Sequence, residues 1–314
     1  MTVTRSVLVL GGTGFLGQHI GAAFTAAGDR VASAARSGPL RIDLATAAPR
    51  ELAALLDRTR PDVVVNASGR AWRATGREML EANAEAVGKL AAAVAVLPHR
   101  PRLVQLGSVH EYGPGTVGEG TREDQVPAPV TPYGRSKLLG SLAVLDAART
   151  ADLNAIVLRL ANVCGPGTPR GSLLGMIGER LAGGMRDSRD GAPAELRLAP
   201  LHARRDFVDV RDVVDAVLAA AELPAPAPAD RVLNIGSGTA VPMRDLVGLM
   251  VTLSGLSIRI VEESGDGTPR TDVEWQQLDI TKARRLLGWR PHRGAEESLR
   301  DLLAAESARP AEAA

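Results

Sequence analysis

The sequence predicts a doubly wound α/β fold, in which a mostly parallel sheet carries a smaller C-terminal α/β lobe. Three observations predict it. Short apolar runs alternate with helix-length segments over the first two-thirds of the 314 residues. A glycine-rich turn follows the first run, and the alternation changes after Leu160. Strands separated by helices form right-handed βαβ units, which places the strands in one parallel sheet.

The individual elements follow from apolar runs and from their Gly and Pro boundaries. Residues 7–10 are uniformly apolar, as a strand buried on both faces should be. Further strands are predicted at 30–34, 62–66, 102–106 and 155–160. Helices are predicted at 15–27, 49–59, 78–97 and 132–149. Two of these helices begin at a proline, a residue favoured at the first helical position.

A glycine motif lies between the first strand and the first helix, at Gly11, Gly14 and Gly17. The first glycine permits a tight turn, the second lets a pyrophosphate approach the backbone, and the third lets the helix lie close to the sheet. The amides of the helix N-terminus then face the phosphates. This position at the head of βαβ units predicts a Rossmann-type dinucleotide site, and a purely structural turn is the alternative.

The chain after Leu160 predicts the smaller lobe. Gly165-Pro166-Gly167 interrupts the alternation, 186–193 reads as a polar loop, and a strand–helix unit returns at 207–222. A short strand is expected at 231–235, and the tail from Ala305 is expected to fray. We assign 1–165 and about 206–235 to the dinucleotide-binding Rossmann domain. The substrate-binding lobe then comprises about 166–205 and 236–314.

Composition excludes several functions. Lys plus Arg is 37 and Asp plus Glu is 36, and aromatic residues make up 3%. This balance offers no electrostatic footprint for nucleic acid or an anionic membrane. The single cysteine, Cys164, excludes an intrachain disulfide, and the five histidines lack metal-ligand spacing, so we expect no metal. No signal or membrane-spanning pattern is seen, which predicts a cytoplasmic location.

The end of the second strand indicates the cofactor. An acidic residue there would bind the adenosine ribose and favour NAD. The sequence instead reads Ala34-Ala35-Arg36-Ser37, with a guanidinium that can pair with a ribose 2′-phosphate. Arg36 therefore predicts NADPH as the cofactor. A solvated surface arginine is the alternative.

Tyr133 and Lys137 form a Tyr-x-x-x-Lys pair at the start of a predicted helix. The i, i+4 spacing places both side chains on one face, and the ammonium is expected to lower the pKa of the phenol. Ser108 follows the fourth strand, at the sheet edge where ligands of open parallel sheets bind. The three residues together predict a site where an acidic phenol and a hydroxyl bind the same substrate oxygen. An ordinary helix surface is the alternative for the Tyr-x-x-x-Lys pair.

With these motifs, the sequence resembles the extended branch of the short-chain dehydrogenase/reductase superfamily, the NAD-dependent epimerase/dehydratase family, and within it reductases of nucleotide-linked ketosugars. The resemblance covers nearly the whole chain. It implies catalytic roles for Ser108, Tyr133 and Lys137, and for Asn83 in resupplying the proton. The cofactor contacts that it implies are Gly11, Thr13, Gly14, Phe15, Leu16, Gly17, Arg36, Asp43, Leu44, Asn66, Ala67, Ser68, Tyr133 and Lys137. The substrate contacts that it implies are Ser108, His110, Asn162 and Arg205.

The resemblance also narrows the reaction. The 4,6-dehydratases of this branch carry an Asp-Glu pair after the catalytic Ser or Thr, and Val109-His110 stands here instead. The 4-epimerases retain NAD, which Arg36 disfavours. We therefore expect an NADPH-dependent reductase of a nucleotide-linked 4-keto-6-deoxyhexose in deoxysugar biosynthesis, with thymidine diphosphate as the expected carrier. A 4-epimerase, a reductase of another small ketone and a non-catalytic dinucleotide sensor remain as alternatives.

Two further expectations concern partners. The resemblance implies a homodimer, in which the long helices predicted at 78–97 and 132–149 pair with those of a second copy. Arg205 is expected to bind the diphosphate of the substrate. The alternative for Arg205 is a surface ion pair with Asp206 or Asp209.

Overall fold

The fold is a seven-stranded parallel sheet with helices on both faces. It is taken from a computed structural model that describes residues 4–72, 74–187, 194–263 and 273–309. The strands are β1 (Ser6–Leu10), β2 (Arg30–Ala35), β3 (Leu40–Arg41), β4 (Val63–Asn66), β5 (Arg102–Ser108), β6 (Ala155–Leu160) and β10 (Val232–Ile235). Their order across the sheet is β10-β6-β5-β4-β1-β2-β3. The predicted doubly wound class is therefore confirmed.

The helices run as the periodicity predicts, with the helix at Pro49–Thr59 reproduced to the residue. The helix predicted at 78–97 is interrupted, because Glu81–Glu85 form a π-helical turn between two α-helical parts. The helices are α1 (Phe15–Ala26), α2 (Pro49–Thr59), α3 (Gly76–Leu80), α4 (Ala86–Ala95), α5 (Pro132–Thr150), α6 (Leu173–Asp187), α7 (Val210–Glu222), α8 (Met243–Ser254), α9 (Thr281–Leu287) and α10 (Ala295–Ala308).

Two apolar cores lie on opposite faces of the main sheet. Side chains alternate along β1, so that Val7 and Val9 join the core under α1 and α7. Leu8 and Leu10 join the core under α2, α4 and α5. All four side chains are fully buried. The uniform apolarity of this strand is thus explained by burial on both faces.

The smaller lobe is built from two further sheets and a third core. In the first, β9 (Arg204–Asp209) pairs with β7 (Asn162–Cys164), β11 (Ala240–Pro242) and β13 (Trp275–Gln276). In the second, β8 (Ala194–Leu198) pairs with β12 (Ile258–Glu262). The third core lies among α6, α8 and α10, with Ile177, Met250 and Leu302 fully buried.

The C-terminal part differs from its prediction. The tail expected to fray from Ala305 is helical as far as Ala308, because α10 packs against α6 and α8 and buries Glu306. The polar loop predicted at 186–193 begins inside α6, and 188–193 lie outside the described residues. The strand predicted at 207 belongs to the lobe's sheet through β9 and does not join the main sheet.

Candidate active site

The glycine motif forms a tight turn between β1 and α1. Gly11 has φ +78°, and its amide and that of Gly12 donate to the Ala34 carbonyl at 2.8 and 3.2 Å. A Cβ on Gly17 would lie 2.1 Å from the Gly11 oxygen, so only glycine allows the helix to begin this close to the turn. Gly14 caps α1 without a side chain, which leaves the first helical amides accessible to an anionic ligand.

An open cavity of about 600 Å³ lies beyond this turn, next to β3 and α2. It brings together Arg36 and Asp43, two residues that the sequence predicted for the cofactor. Two further guanidiniums line it, Arg41 and Arg58, which sequence reasoning missed although Arg41 is only two residues from Asp43. The full lining is Arg36, Arg41, Ile42, Asp43, Thr46, Ala47, Glu51, Ala54, Leu55 and Arg58. Leu44 lies outside it and packs against the core under α2.

The remaining residues predicted around the glycine turn also lie at it. Thr13 approaches Ser37 with 3.4 Å between hydroxyl oxygens, which ties the turn to the end of β2. Leu16 packs against the core of the main sheet. The Phe15 ring stacks edge-on against His19 at 5.8 Å, and the His19 ring nitrogen bonds the Pro166 carbonyl.

The loop after β4 lies directly against the glycine turn. The buried Asn66 amide donates to the Gln105 side-chain oxygen at 2.8 Å and accepts from the Ser68 hydroxyl at 2.5 Å. A Cβ on Gly11 would lie 2.8 Å from the Ser68 amide and 2.9 Å from the Ala67 carbonyl. The predicted residues 66–68 therefore share one edge of the sheet with the turn.

Asn83 occupies the π-helical turn and is buried. Its side-chain oxygen accepts from the Arg70 amide at 2.8 Å, and its side-chain nitrogen donates to the Arg70 carbonyl at 2.7 Å and to the Ser136 hydroxyl at 3.0 Å. Ser136 directly precedes Lys137 in α5. Asn83 thus fixes the loop after β4 against the helix that carries the predicted catalytic pair.

Ser108 and Tyr133 meet at the carboxyl end of β5. Ser108 is the last residue of that strand, and Tyr133 lies in the first turn of α5. Burial raises the pKa of Tyr133 to about 12; a hydrogen bond with Ser108 lowers it, and the Glu111 charge raises it. The phenol is therefore protonated at neutral pH.

Lys137 lies one helical turn after Tyr133, but it does not act on Tyr133 as predicted. Its ammonium donates to the Leu106 carbonyl at 2.5 Å. Burial lowers the pKa of Lys137, and Glu111 opposes that shift. The predicted lowering of the Tyr133 pKa by Lys137 is wrong for this structure, because the cost of burying the phenolate outweighs the effects that lower the pKa.

The predicted substrate residues His110, Asn162 and Arg205 lie on the lobe side of Ser108. The His110 ring packs edge-on against Tyr133, with 5.6 Å between ring centroids. Burial and the Arg205 charge lower the pKa of His110 to about 4, while a hydrogen bond with Asn162 raises it. A neutral imidazole therefore packs against the protonated phenol, and a carboxamide and a guanidinium lie near that imidazole.

The carboxylates beside Arg205 face the interior. Asp206 and Asp209 are buried. Asp206 accepts from Ser237 and from the Gly238 and Leu278 amides, while Asp209 accepts from Arg211 and Ser298. The alternative of a surface ion pair between Arg205 and either aspartate is therefore wrong.

A buried ion pair under Ser108 escaped the sequence analysis. Glu111 accepts from the Arg159 guanidinium at 2.8 Å, and both side chains are almost completely enclosed. The guanidinium also lies over the Tyr112 ring at 4.4 Å. The signal was available, because an arginine within the apolar strand 155–160 requires a buried partner.

Among the described residues, neither a metal site nor a membrane-spanning helix is found. In residues 4–72, 74–187, 194–263 and 273–309, no three His, Cys, Asp or Glu side chains are grouped as a metal ion would require. Within the same ranges, no helix has the length and apolarity that crossing a bilayer demands.

A dinucleotide-type glycine turn and a Ser–Tyr–Lys group, brought to one edge of a parallel sheet, define an NAD(P)-dependent oxidoreductase of the short-chain dehydrogenase/reductase type. A profile of the NAD dependent epimerase/dehydratase family matches residues 7–236. The chain belongs to this family, and the resemblance inferred from its motifs is confirmed.

Comparison with known proteins finds relatives that span the whole chain. A dTDP-6-deoxy-L-talose 4-dehydrogenase (NAD(P)(+)) from Kitasatospora kifunensis is 43% identical, with 98% of each chain covered. A GDP-6-deoxy-D-mannose reductase from Pseudomonas aeruginosa is 27% identical, with 96% of this chain and 97% of the relative covered. The solved structure of RMD from Pseudomonas aeruginosa complexed with NADPH superposes with a TM-score of 0.84 at 25% identity, covering 98% of this chain and 100% of that chain.

Proposed function

We propose that the protein is an NADPH-dependent ketoreductase of a dTDP-linked 4-keto-6-deoxyhexose. The observation that carries the proposal is the pairing of two hydroxyls, Ser108 and Tyr133, at the end of β5 with Arg205 on the lobe side. Two adjacent hydroxyl groups, hydrogen-bonded to each other, suit a carbonyl oxygen that gains negative charge.

Four residues take part in the proposed reduction. NADPH, held by the residues of the glycine turn, would supply the hydride that the carbonyl carbon gains. Ser108 donates a hydrogen bond to the carbonyl oxygen, and Tyr133 transfers its proton to that oxygen as charge develops. Lys137, held by the Leu106 carbonyl, would bind the nicotinamide ribose. Asn83 holds α5 against the loop after β4 while Tyr133 regains its proton.

Two observations support a reversible oxidation and reduction at C4 of a sugar. Tyr133 is protonated at neutral pH, which is the form that donates in a reduction. The Kitasatospora relative is a 4-dehydrogenase of a dTDP-6-deoxysugar, and oxidation at C4 is the reverse of the reduction proposed here. Val109 and His110 lack the carboxyl groups that an elimination of water would need.

NADPH is the cofactor that the adenosine end of the cleft supports. The glycine turn has the backbone conformation and the clearance that a pyrophosphate requires. Arg36, Arg41 and Arg58 line the cavity beyond it, in which a ribose 2′-phosphate would meet two or more guanidiniums. The Kitasatospora relative is described as using NAD(P)(+), so NADH is expected to act as a weaker substitute.

The substrate is supported by the lobe side of the site. Arg205 offers the diphosphate a positive charge, and Asn162, whose side chain donates to the Asp206 carbonyl at 3.0 Å, offers a fixed amide beside it. His110 places a neutral ring next to Tyr133, where the sugar would lie.

The direct test follows NADPH absorbance after adding dTDP-4-keto-6-deoxy sugars, with GDP- and UDP-linked ketosugars as matched controls. We expect one molecule of NADPH to be oxidised per ketosugar and the product to be a 6-deoxyhexose alcohol. Interconversion of C4 epimers without net NADPH consumption would instead establish the 4-epimerase. Binding of NADPH with no turnover of any ketone would leave the dinucleotide sensor.

We also propose a homodimer built on α3 and α5. Leu80, Leu139 and Leu142 are exposed large apolar side chains on these two helices, at 38%, 48% and 47% of their surface. A second copy packed against the same helices would bury them. Light scattering should give twice the 32.8 kDa chain mass. Leu139→Glu with Leu142→Glu should give the monomer mass, and a wild-type mass near one chain would refute the interface.

A further inference from the structure

We propose that Glu111 is a positioning residue, whose buried carboxylate fixes the backbone of Ser108 and keeps a negative charge beneath Tyr133 and Lys137. The inference rests on the proposed function and assigns a role in it to a residue that does not touch the substrate.

Glu111 joins three elements with its two carboxylate oxygens. It ends the short helical turn Val109–Glu111 and is fully buried. One oxygen accepts from the Ser108 amide at 2.9 Å and from the Ser141 hydroxyl at 2.9 Å. The other accepts from Arg159 at 2.8 Å. Because β5, α5 and β6 all bond one carboxylate, its position determines where Ser108 lies relative to α5.

The fit of the carboxylate depends on a missing side chain. A Cβ on Gly107 would lie 2.6 Å from the Glu111 oxygen that bonds Ser108. Real Cβ atoms do not approach an oxygen this closely, so the glycine makes the room that the carboxylate occupies. The two residues are therefore coupled.

The charge of Glu111 acts on both ionisable catalytic groups. The groups facing it are Tyr133 and Lys137 from α5, Arg159 from β6, and Tyr112 next in the chain. The carboxylate raises the pKa of Lys137 against the effect of burial, and it also raises the pKa of Tyr133. Lys137 therefore stays charged and Tyr133 stays protonated to a higher pH.

A purely structural role would be to neutralise Arg159, and the pH profile of kcat separates the two roles. Glu111→Gln keeps the shape and an acceptor for Ser108 but removes the charge. Without it, the pKa values of Lys137 and Tyr133 both fall. We expect the alkaline limb of kcat to move to lower pH by about one unit. Ser141→Ala removes one hydrogen bond to Glu111 and leaves the charge, so the alkaline limb of its kcat profile should stay at the wild-type pH.

A second variant protects the test against misfolding. Glu111→Gln leaves Arg159 buried without a counter-charge, which can destabilise the chain. Glu111→Gln with Arg159→Gln removes both charges and should still shift the limb to lower pH. Either variant, folded and with a limb at the wild-type position, would overturn the proposal whatever its kcat.

A measurement without substrate separates this proposal from the proposed function. Tyrosinate absorbance is followed in rapid pH jumps, and subtraction of the corresponding Tyr133→Phe variant isolates Tyr133, since the chain has two tyrosines. Glu111→Gln should lower the titration midpoint of Tyr133, and an unchanged midpoint would refute the role of the charge. A lowered midpoint in a protein that reduces no ketosugar would refute the proposed function alone.

Discussion

The two ends of the proposed cofactor cleft carry charge in opposite ways. At the adenosine end, Arg36, Arg41 and Arg58 are exposed around an open cavity. At the catalytic end, Lys137, Glu111 and Arg159 are buried and bonded to one another or to the backbone. The charged residues at the adenosine end can therefore be substituted one at a time. At the catalytic end, substituting one charged residue affects the residues that are bonded to it.

The difference follows from the dielectric environment. An exposed charge interacts weakly with its neighbours because water and salt screen it, so it affects ligand choice more than folding. A buried charge costs several kcal/mol unless it is paired, so it affects folding and the ionisation of its neighbours together. Substitutions at the two ends should therefore change different measurements.

The largest expected effect is that of Tyr133→Phe at the catalytic end. Loss of the donated proton should lower kcat by about 10²–10⁴-fold and leave NADPH binding intact. Tyr112→Phe is the matched control, because it also removes one phenol hydroxyl. That hydroxyl donates to the Asn234 side-chain oxygen at 2.8 Å and has no role in the proposed reaction. Full activity in Tyr133→Phe would remove the phenol from the mechanism.

The next effect concerns pH and stability at Asp206. Burial raises the pKa of this carboxyl from 3.8 to about 6 in the folded chain, against hydrogen bonds that lower it. Its contribution to stability is complete below the unfolded pKa and is lost as pH rises through the folded pKa. The loss is about 3 kcal/mol, at 1.36 kcal/mol for each pKa unit. Asp206→Asn lacks this titration, so wild type should lose stability relative to it across that window.

Asp209 provides the control of opposite sign. Burial raises the pKa of its carboxyl, but the bonds from Arg211 and Ser298 outweigh burial and leave the pKa below the ordinary value. Its contribution is present above the unfolded pKa and is lost as pH falls. Urea unfolding at a series of pH values should show opposite trends for Asp206→Asn and Asp209→Asn. Parallel curves would mean that the bonds from Arg211 and Ser298 do not distinguish the two carboxylates.

A smaller effect is expected for Arg36→Ala at the adenosine end. Loss of a charge-assisted bond to the 2′-phosphate costs about 1.5–3 kcal/mol, so KM for NADPH should rise about 10- to 100-fold. KM for NADH should not change. Arg50→Ala, an exposed arginine of α2 outside the cavity, is the matched control. Equal changes with both cofactors would show that Arg36 does not recognise the phosphate.

The smallest effect is that of the same Arg36→Ala change on folding. Exposed substitutions without a structural role shift the free energy of unfolding by less than about 0.5 kcal/mol. Thermal unfolding of the ligand-free protein measures it. A large loss of stability would contradict the contrast drawn between the two ends.

The sequence predicted the structure of the adenosine end better than that of the catalytic end. The glycine turn lies within residues 11–17, and Arg36 directly follows β2, so local sequence was sufficient to predict both features. The resemblance indicated Asn83, but its hydrogen bond to Ser136, 53 positions away, was not predicted. The strand at 7–10 was predictable because burial on two faces leaves a continuous apolar run.

What the sequence did not predict depends on contacts between distant segments. Glu111 and Arg159 lie 48 residues apart, and neither periodicity nor propensity pairs them. The pKa of Tyr133 was predicted in the wrong direction, because spacing reveals a nearby lysine but not how much water the fold excludes. Helix α10 was missed because its stability comes from packing against α6 and α8.

The π-helical turn at Glu81–Glu85 has a consequence for anyone who alters this chain. A π-helical turn amounts to one surplus residue inserted into an otherwise regular helix. Deleting that residue would restore regular α-helical hydrogen bonding along the helix, so the deletion would look favourable if only helix geometry were considered. The same deletion would rotate Asn83 by about 100° around the helix axis and take its amide out of reach of Arg70 and Ser136. The irregularity is therefore worth preserving in any redesign for thermal stability.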